Sequence, residues 1–255
     1  MLRETFRARG RKLKRRRKPC NLGVRDPTKV RRLSAVDEAV TKRYPITSVA
    51  FDIETIRRRL RAHEARRQVV PTPRRAAVAA ILRPSRADTE VLLIRRADRP
   101  GDPWSGHMAF PGGHHEPVDS DLRETAVRET MEEVGLNLHD HEYLGQLDEV
   151  AAMARGRAVG MTIAPYVFAL RDAHDHDAPL VLRPNHEVAE LLWGSLGRMY
   201  RGEVDATKEI SYGGETLHLP AFQVEEQLVW GMTHGMLRSL FSLLTESILE
   251  AEKNL

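Results

Sequence analysis

Apolar residues recur along this chain with two distinct periods. From Asp52 to Gln68 the period is helical. Ile53, Ile56, Leu60 and Glu64 stand one turn apart, Asp52 is placed to cap the start, and Pro71 and Pro73 end the segment. The run from Ala76 to Leu82 is continuously apolar and is closed by Pro84, which predicts a buried strand. Glu90 to Arg96 predicts a second strand, with the polar stretch 83–88 as the hairpin connection. Tyr143 to Val150 and Thr162 to Leu170 predict two more. After a polar loop, Leu180 to Leu182 and Glu187 to Leu196 are again apolar. Residues 217–224 read as a short strand whose Pro220 argues for an edge position. From about Val229 to Leu249 the pattern returns to a helix. Trp230, Met236, Leu237, Leu240, Phe241, Leu244 and Ile248 form a broad stripe suited to a core or to a homodimer contact. Strands and helices mixed in this order predict an α/β protein with a mixed sheet covered by helices.

Charge divides the picture. Residues 1–34 hold fourteen Lys/Arg against Glu4 and Asp26, although the whole chain of 255 residues is only +4. A basic segment therefore precedes an acidic body. Like charges at such density resist packing, so residues 1–45 are expected to be a flexible extension and 46–255 the folded domain with its C-terminal helix. The extension suits contact with nucleic acid or an anionic surface through residues 1–34. No apolar run approaches a bilayer span, so no transmembrane segment is expected. The single Cys20 excludes an intrachain disulfide and a cysteine-rich zinc site. With no apolar signal region at the N-terminus, a cytoplasmic setting is expected.

The densest chemistry lies at residues 110–136. A Pro111-Gly112-Gly113 turn leads to a helix capped by Ser120 or Asp119, with Asp121 in its first turn. The helix reaches Val134 and stops at Gly135, a natural left-handed cap. Leu122, Ala126, Thr130 and Val134 form the core-facing stripe, and Glu124 and Arg128 are spaced for an ion pair. Glu129, Glu132 and Glu133 share one helical turn. Three carboxylates this close repel one another unless cations neutralise them, and all-oxygen donors suit Mg²⁺ or Mn²⁺. Gly112 and Gly113 let backbone approach and can offer a carbonyl to the same ion. Arg95 and Arg96 alternate faces of their strand, so one of them can reach a substrate phosphate. His114 can contact a phosphate or a base, or lie with His115 on the loop surface. Trp104 can stack on a substrate or cover the core. His174-Asp175-His176-Asp177 has metal-binding residue types, but alternate residues of an extended loop diverge, so it reads as a solvated loop.

The window resembles the Nudix box. Arg128-Glu129-Thr130-Met131-Glu132-Glu133-Val134-Gly135-Leu136 follows its second half, with Thr130 in a position that is usually hydrophobic. The first half is one residue longer than the general pattern, with the early acid at Asp119. That spacing is similar to the coenzyme A pyrophosphatase-like branch, as are Leu92 to Ala97 and Gly106 to Gly113. Asp102 stands where that branch usually has arginine. Glu187 to Trp193 and Trp230 to Thr233 also resemble it. The resemblance implies an α/β/α Nudix sandwich with a mixed sheet. It implies a Mg²⁺- or Mn²⁺-dependent hydrolase cleaving the diphosphate of a nucleotide derivative, such as coenzyme A, ADP-ribose, a dinucleotide, a nucleotide sugar or a capped RNA. A Nudix-fold nucleic-acid-binding module is the alternative. Glu129, Glu132, Glu133 and the Gly113 carbonyl are then the metal ligands. One of the acids, or the more distant Glu187, takes the proton of the attacking water. Arg128 orients Glu129, while Arg95, Arg96, Gly112 and His114 are candidates for the substrate.

Overall fold

The computed structural model describes residues 51–68, 74–85, 88–154, 156–171 and 180–253. The basic segment 1–34 and His174 to Asp177 lie outside these. Three long strands dominate: β1 (Arg74–Pro84), β2 (Thr89–Arg96) and β7 (Arg157–Ala169). They belong to an eight-stranded sheet whose main path runs β3 (Met108–Ala109), β2, β1, β7, β5 (Glu142–Gln146). β1 and β7 are parallel and every other pair is antiparallel, so the sheet is mixed. Off that path, β4 (Gly112–His114) pairs with β1, β6 (Val150–Ala154) with β7, and β8 (Val188–Ser195) with β2.

Strand alternation explains the layers. Ala77, Ala79 and Ile81 of β1, Leu92 and Ile94 of β2, and Ala164, Tyr166 and Phe168 of β7 share one face, which buries Ala126, Val127 and Val134 of helix α2 (Leu122–Val134). The intervening residues Ala80, Leu82, Val91, Leu93, Val167 and Ala169 point the other way. They pack against helix α1 (Ile53–Ala62) and helix α4 (Gly231–Lys253). The result is the expected α/β/α sandwich. A short helix α3 (Leu196–Tyr200) leads to a second sheet of three strands, β9 (Asp205–Tyr212), β10 (Glu215–Val224) and β11 (Gln227–Trp230). Among the described residues no helix is long and apolar enough to cross a membrane.

Several sequence expectations need correction. The first helix stops at Ala62, not near Gln68. Asp148 draws the following chain into extended form, accepting from the Arg66 backbone N–H at 2.9 Å and lying 2.9 Å from His63 Nε2. The strand expected over Tyr143 to Val150 is two strands, because Asp148 and Glu149 between them turn their carboxylates onto residues 63–68 and Arg75. β10 is a central strand, not an edge. Its Pro220 lies one residue beyond the stretch paired with β11, so no N–H is missed on that side. Val229 and Trp230 belong to β11, and the last helix begins at Gly231, where a φ of 63° makes the bend. The stripe Met236, Leu237, Leu240, Phe241 and Leu244 is buried inside this chain's own core.

Candidate active site

The Pro-Gly-Gly turn is built by close approach. The Pro111 carbonyl accepts from the Ala79 N–H at 2.8 Å, and Gly113 and Gly112 stand opposite Ala77 and Val78 of β1. Gly112 has a φ of 151°, and a Cβ there would strike the Ala77 carbonyl. A Cβ on Gly113 would strike the Glu129 carboxylate. The two glycines thus let backbone meet backbone at one position and a helix carboxylate at the next.

The cap of α2 is Asp121, which accepts from the Glu124 N–H at 2.9 Å. Ser120 and Asp119 do not cap. Asp119 instead gathers the loop: it accepts from the Glu116 N–H at 2.9 Å, the Thr125 hydroxyl at 2.9 Å and Arg128 Nε at 2.8 Å. These bonds, the Arg128 guanidinium above all, hold its carboxyl far below the usual carboxylate range. Arg128 also donates to the His114 carbonyl at 3.0 Å and lies 3.1 Å from Glu129. The expected Glu124–Arg128 pair does not form. Glu124 meets His139 at 3.1 Å, because Asp119 claims the arginine. Gly135 ends the helix in the left-handed conformation, as expected.

Glu133 is 2% exposed and accepts from the Gly112 N–H at 2.8 Å. Burial pushes its carboxyl up to about 7, and burial also raises Glu129. Both line a cavity of about 420 Å³, together with Gly112, Gly113, His114 and Glu116. Glu187 reaches the same cavity from a distant part of the chain. Arg183 and Asn185 donate their N–H groups to the Val134 and Glu133 carbonyls at 2.8 and 2.9 Å, which ties that segment to the end of α2. Arg96 and Arg99 enter as well, Arg96 bonded to Asp102 and Arg99 to Glu187, each at 2.7 Å. Much of the remaining wall is apolar and comes from elsewhere: Trp104, Met161 and Ile163, with Trp230, Met232 and Met236 around the start of α4, beside Asp102, His107 and Thr233.

Three expected site residues do not line this cavity: Arg128, which is held by Asp119, Arg95 and Glu132. Arg95 points to Asp98 and Glu190, each 3.6 Å away, since neighbouring strand residues face opposite ways. Glu132 stays on the helix surface, with its side chain 54% exposed and 3.2 Å from Arg128. Two features escaped the sequence reading. Glu116 is a further cavity carboxylate with no periodicity to signal it. His107 lies against Trp230 with ring centres 4.5 Å apart and planes tilted by 52°, a pairing between segments far apart in the chain. Trp104 does cover the core edge, and its indole N–H donates to the Met153 carbonyl at 3.0 Å.

Among the described residues, no three His, Cys, Asp or Glu side chains already converge as a metal-holding group. The donor chemistry nonetheless fits a hard divalent cation. Two desolvated carboxylates share one cavity wall, and the space Gly113 leaves open is filled by one of them.

Residues 73–211 match the NUDIX domain. The chain is 32% identical over 165 residues to the Nudix hydrolase NudL of Yersinia enterocolitica, itself uncharacterized, covering 64% of this chain and 78% of that protein. It is 33% identical over 164 residues to the mitochondrial coenzyme A diphosphatase NUDT8 of Mus musculus, covering 62% and 74%. An uncharacterized Schizosaccharomyces pombe protein is 45% identical over 84 residues, 31% of this chain, and the match spans a quarter of that longer protein.

Proposed function

The chain belongs to the Nudix family, and on that premise we propose that it is a divalent-cation-dependent pyrophosphohydrolase of a nucleoside diphosphate derivative, with coenzyme A and related compounds as the substrates to test first. The observation that carries this reading is the buried Glu133, bonded by the Gly112 N–H and facing one cavity with Glu129 and Glu187. The name of the mouse relative supports the coenzyme A choice. So does the apolar half of the cavity, which suits a flexible thiol-bearing arm or a base.

Glu129 and Glu133 are the side chains that would hold Mg²⁺ or Mn²⁺. The ion, when bound, neutralises diphosphate charge and lowers the pKa of an attacking water. Arg128 keeps Glu129 turned toward the cavity and ties the loop to the helix. Glu187, at the same cavity, is placed to take a proton from water, and Arg99 holds its carboxylate in position. The proposed organisation is a catalytic domain from residue 46, preceded by the basic extension. The cytoplasmic setting is retained as part of the proposal, supported by the lone Cys20.

The test offers coenzyme A, ADP-ribose, NADH and a diadenosine polyphosphate to the full-length protein with Mg²⁺ and then Mn²⁺. Hydrolysis at the diphosphate is expected, and Glu129→Gln or Glu133→Gln should lower kcat by about a hundredfold or more. Absence of any turnover, or full activity in both variants, overturns the reading.

A further inference from the structure

One part of the cavity wall has a peculiar charge balance. Among the described residues, its lysines and arginines number two, Arg96 and Arg99; each already donates to a carboxylate, while Arg96 Nε is buried without a hydrogen-bond partner. Arg99 is bonded to Glu187. Arg96 Nη2 donates to Asp102 Oδ2 at 2.7 Å, and the other Asp102 oxygen accepts from the Trp104 backbone N–H at 2.9 Å. The Asp102 side chain is only 13% exposed, yet it lines the cavity. Its place is fixed by a turn in which the Asp102 N–H donates to the Arg99 carbonyl, and the Asp102 carbonyl accepts from the Ser105 N–H, each at 3.2 Å. Asp102 is therefore a built-in anion that occupies the guanidinium a substrate phosphate would otherwise use.

Cations bound at Glu129 and Glu133 would serve a diphosphate. They would not serve a second phosphoryl group elsewhere on the ligand. A phosphomonoester reaching the Asp102 wall would lie beside a fixed carboxylate, where Arg96 and Arg99 are each already paired with an acid. Burying a charge without a partner is costly, and so is taking Arg96 from Asp102. A hydroxyl or amino group at the same place can donate to Asp102 at no such cost. Discrimination then comes from a repulsive element as much as from an attractive one. Trp104 and the tilted His107–Trp230 pair supply aromatic surface beside it, which suits an uncharged ring.

We infer that Asp102 is a specificity-determining residue, restricting this cavity to nucleoside diphosphate derivatives that carry no additional phosphomonoester. The inference rests on the pyrophosphohydrolase reading for its kinetic form, though not for its binding form. Within the coenzyme A group it selects 3′-dephospho-coenzyme A over coenzyme A itself.

Two matched pairs test it with the full-length protein and Mg²⁺. The first is kcat/KM for 3′-dephospho-coenzyme A against coenzyme A. The second is calorimetric binding of ADP against adenosine 3′-phosphate 5′-diphosphate. The compound without the extra phosphomonoester is expected to win by about tenfold in each pair. Asp102→Asn should narrow both ratios at least threefold, through KM rather than kcat, and Asp102→Glu should keep them. General loosening would depress both members of a pair alike and leave the ratio unmoved. If Asn at 102 unfolds the protein, Asp102→Ser gives the same readout, and the wild-type ratios still decide. Equal or reversed wild-type preference, ratios indifferent to position 102, or no binding of either nucleotide overturns the inference. Absent turnover with the binding preference intact removes the hydrolase reading and leaves this one standing.

Discussion

A methyl group at position 112 and one at position 113 should do different damage. At 112 it meets the Ala77 carbonyl, main chain in the middle of a sheet, on a residue whose φ of 151° already excludes most side chains. Gly112→Ala is expected to cost on the order of 2–4 kcal/mol of stability, read as a fall in Tm or denaturant midpoint. At 113 the methyl meets the end of a side chain, the Glu129 carboxylate, which can swing aside. Gly113→Ala should change stability by about 1 kcal/mol or less and lower kcat by roughly ten- to a hundredfold, because the displaced group is a proposed cation holder. Equal loss of Tm in both variants would contradict this division. The double glycine is plain in the sequence, and so is the need for close approach. What each glycine approaches is not, because Ala77 and Glu129 come to it from a strand and a helix on either side of the loop.

Helix α2 was the most legible element, since its information is local: a 3.6-residue stripe and a terminal glycine lie within a short window, although the cap is Asp121 and not the Ser120 or Asp119 expected. Its tether was not legible. Asp119 reads as a cap, but the structure uses it to hold Arg128 across nine residues of loop and helix. That tether makes a pH prediction. Asp119 titrates below its ordinary range in the folded protein, so its stabilising contribution is complete above about pH 4 and is lost as pH falls toward the folded value. Asp119→Asn should cost on the order of 2 kcal/mol at pH 7 and flatten the decline of stability between about pH 4 and pH 2, measured by urea titration at each pH. An unchanged slope would show that the tether carries no such linkage. The same limit of local reading explains the strand misjudged at Tyr143 to Val150. Its break at Asp148 and Glu149 depends on partners 74 or more residues away. Alternation told that Arg95 and Arg96 face opposite ways, but which one faces the cavity depends on sheet order, and that is a property of the whole fold.

Across the molecule, the cavity draws on the Gly-Gly turn, α2, the segment around Glu187 and the start of α4, so no contiguous piece contains it. The parallel pairing of β1 with β7 adds Met161 and Ile163 to the same wall. Arg74 meets Met161 and Leu82 meets Ala169, contacts between stretches far apart in sequence. Such contacts require closing a long loop before any stabilising bond forms, which slows folding. After dilution from denaturant, far-ultraviolet helical signal should therefore recover in an earlier phase than nucleotide binding, and simultaneous recovery would argue against this order. The consequence is one of timing. During synthesis α2 emerges with Glu129 and Glu133 before β7 exists, so the chain carries these carboxylates for a time without the cavity that gives them a purpose. Activity is a property that this polypeptide acquires last.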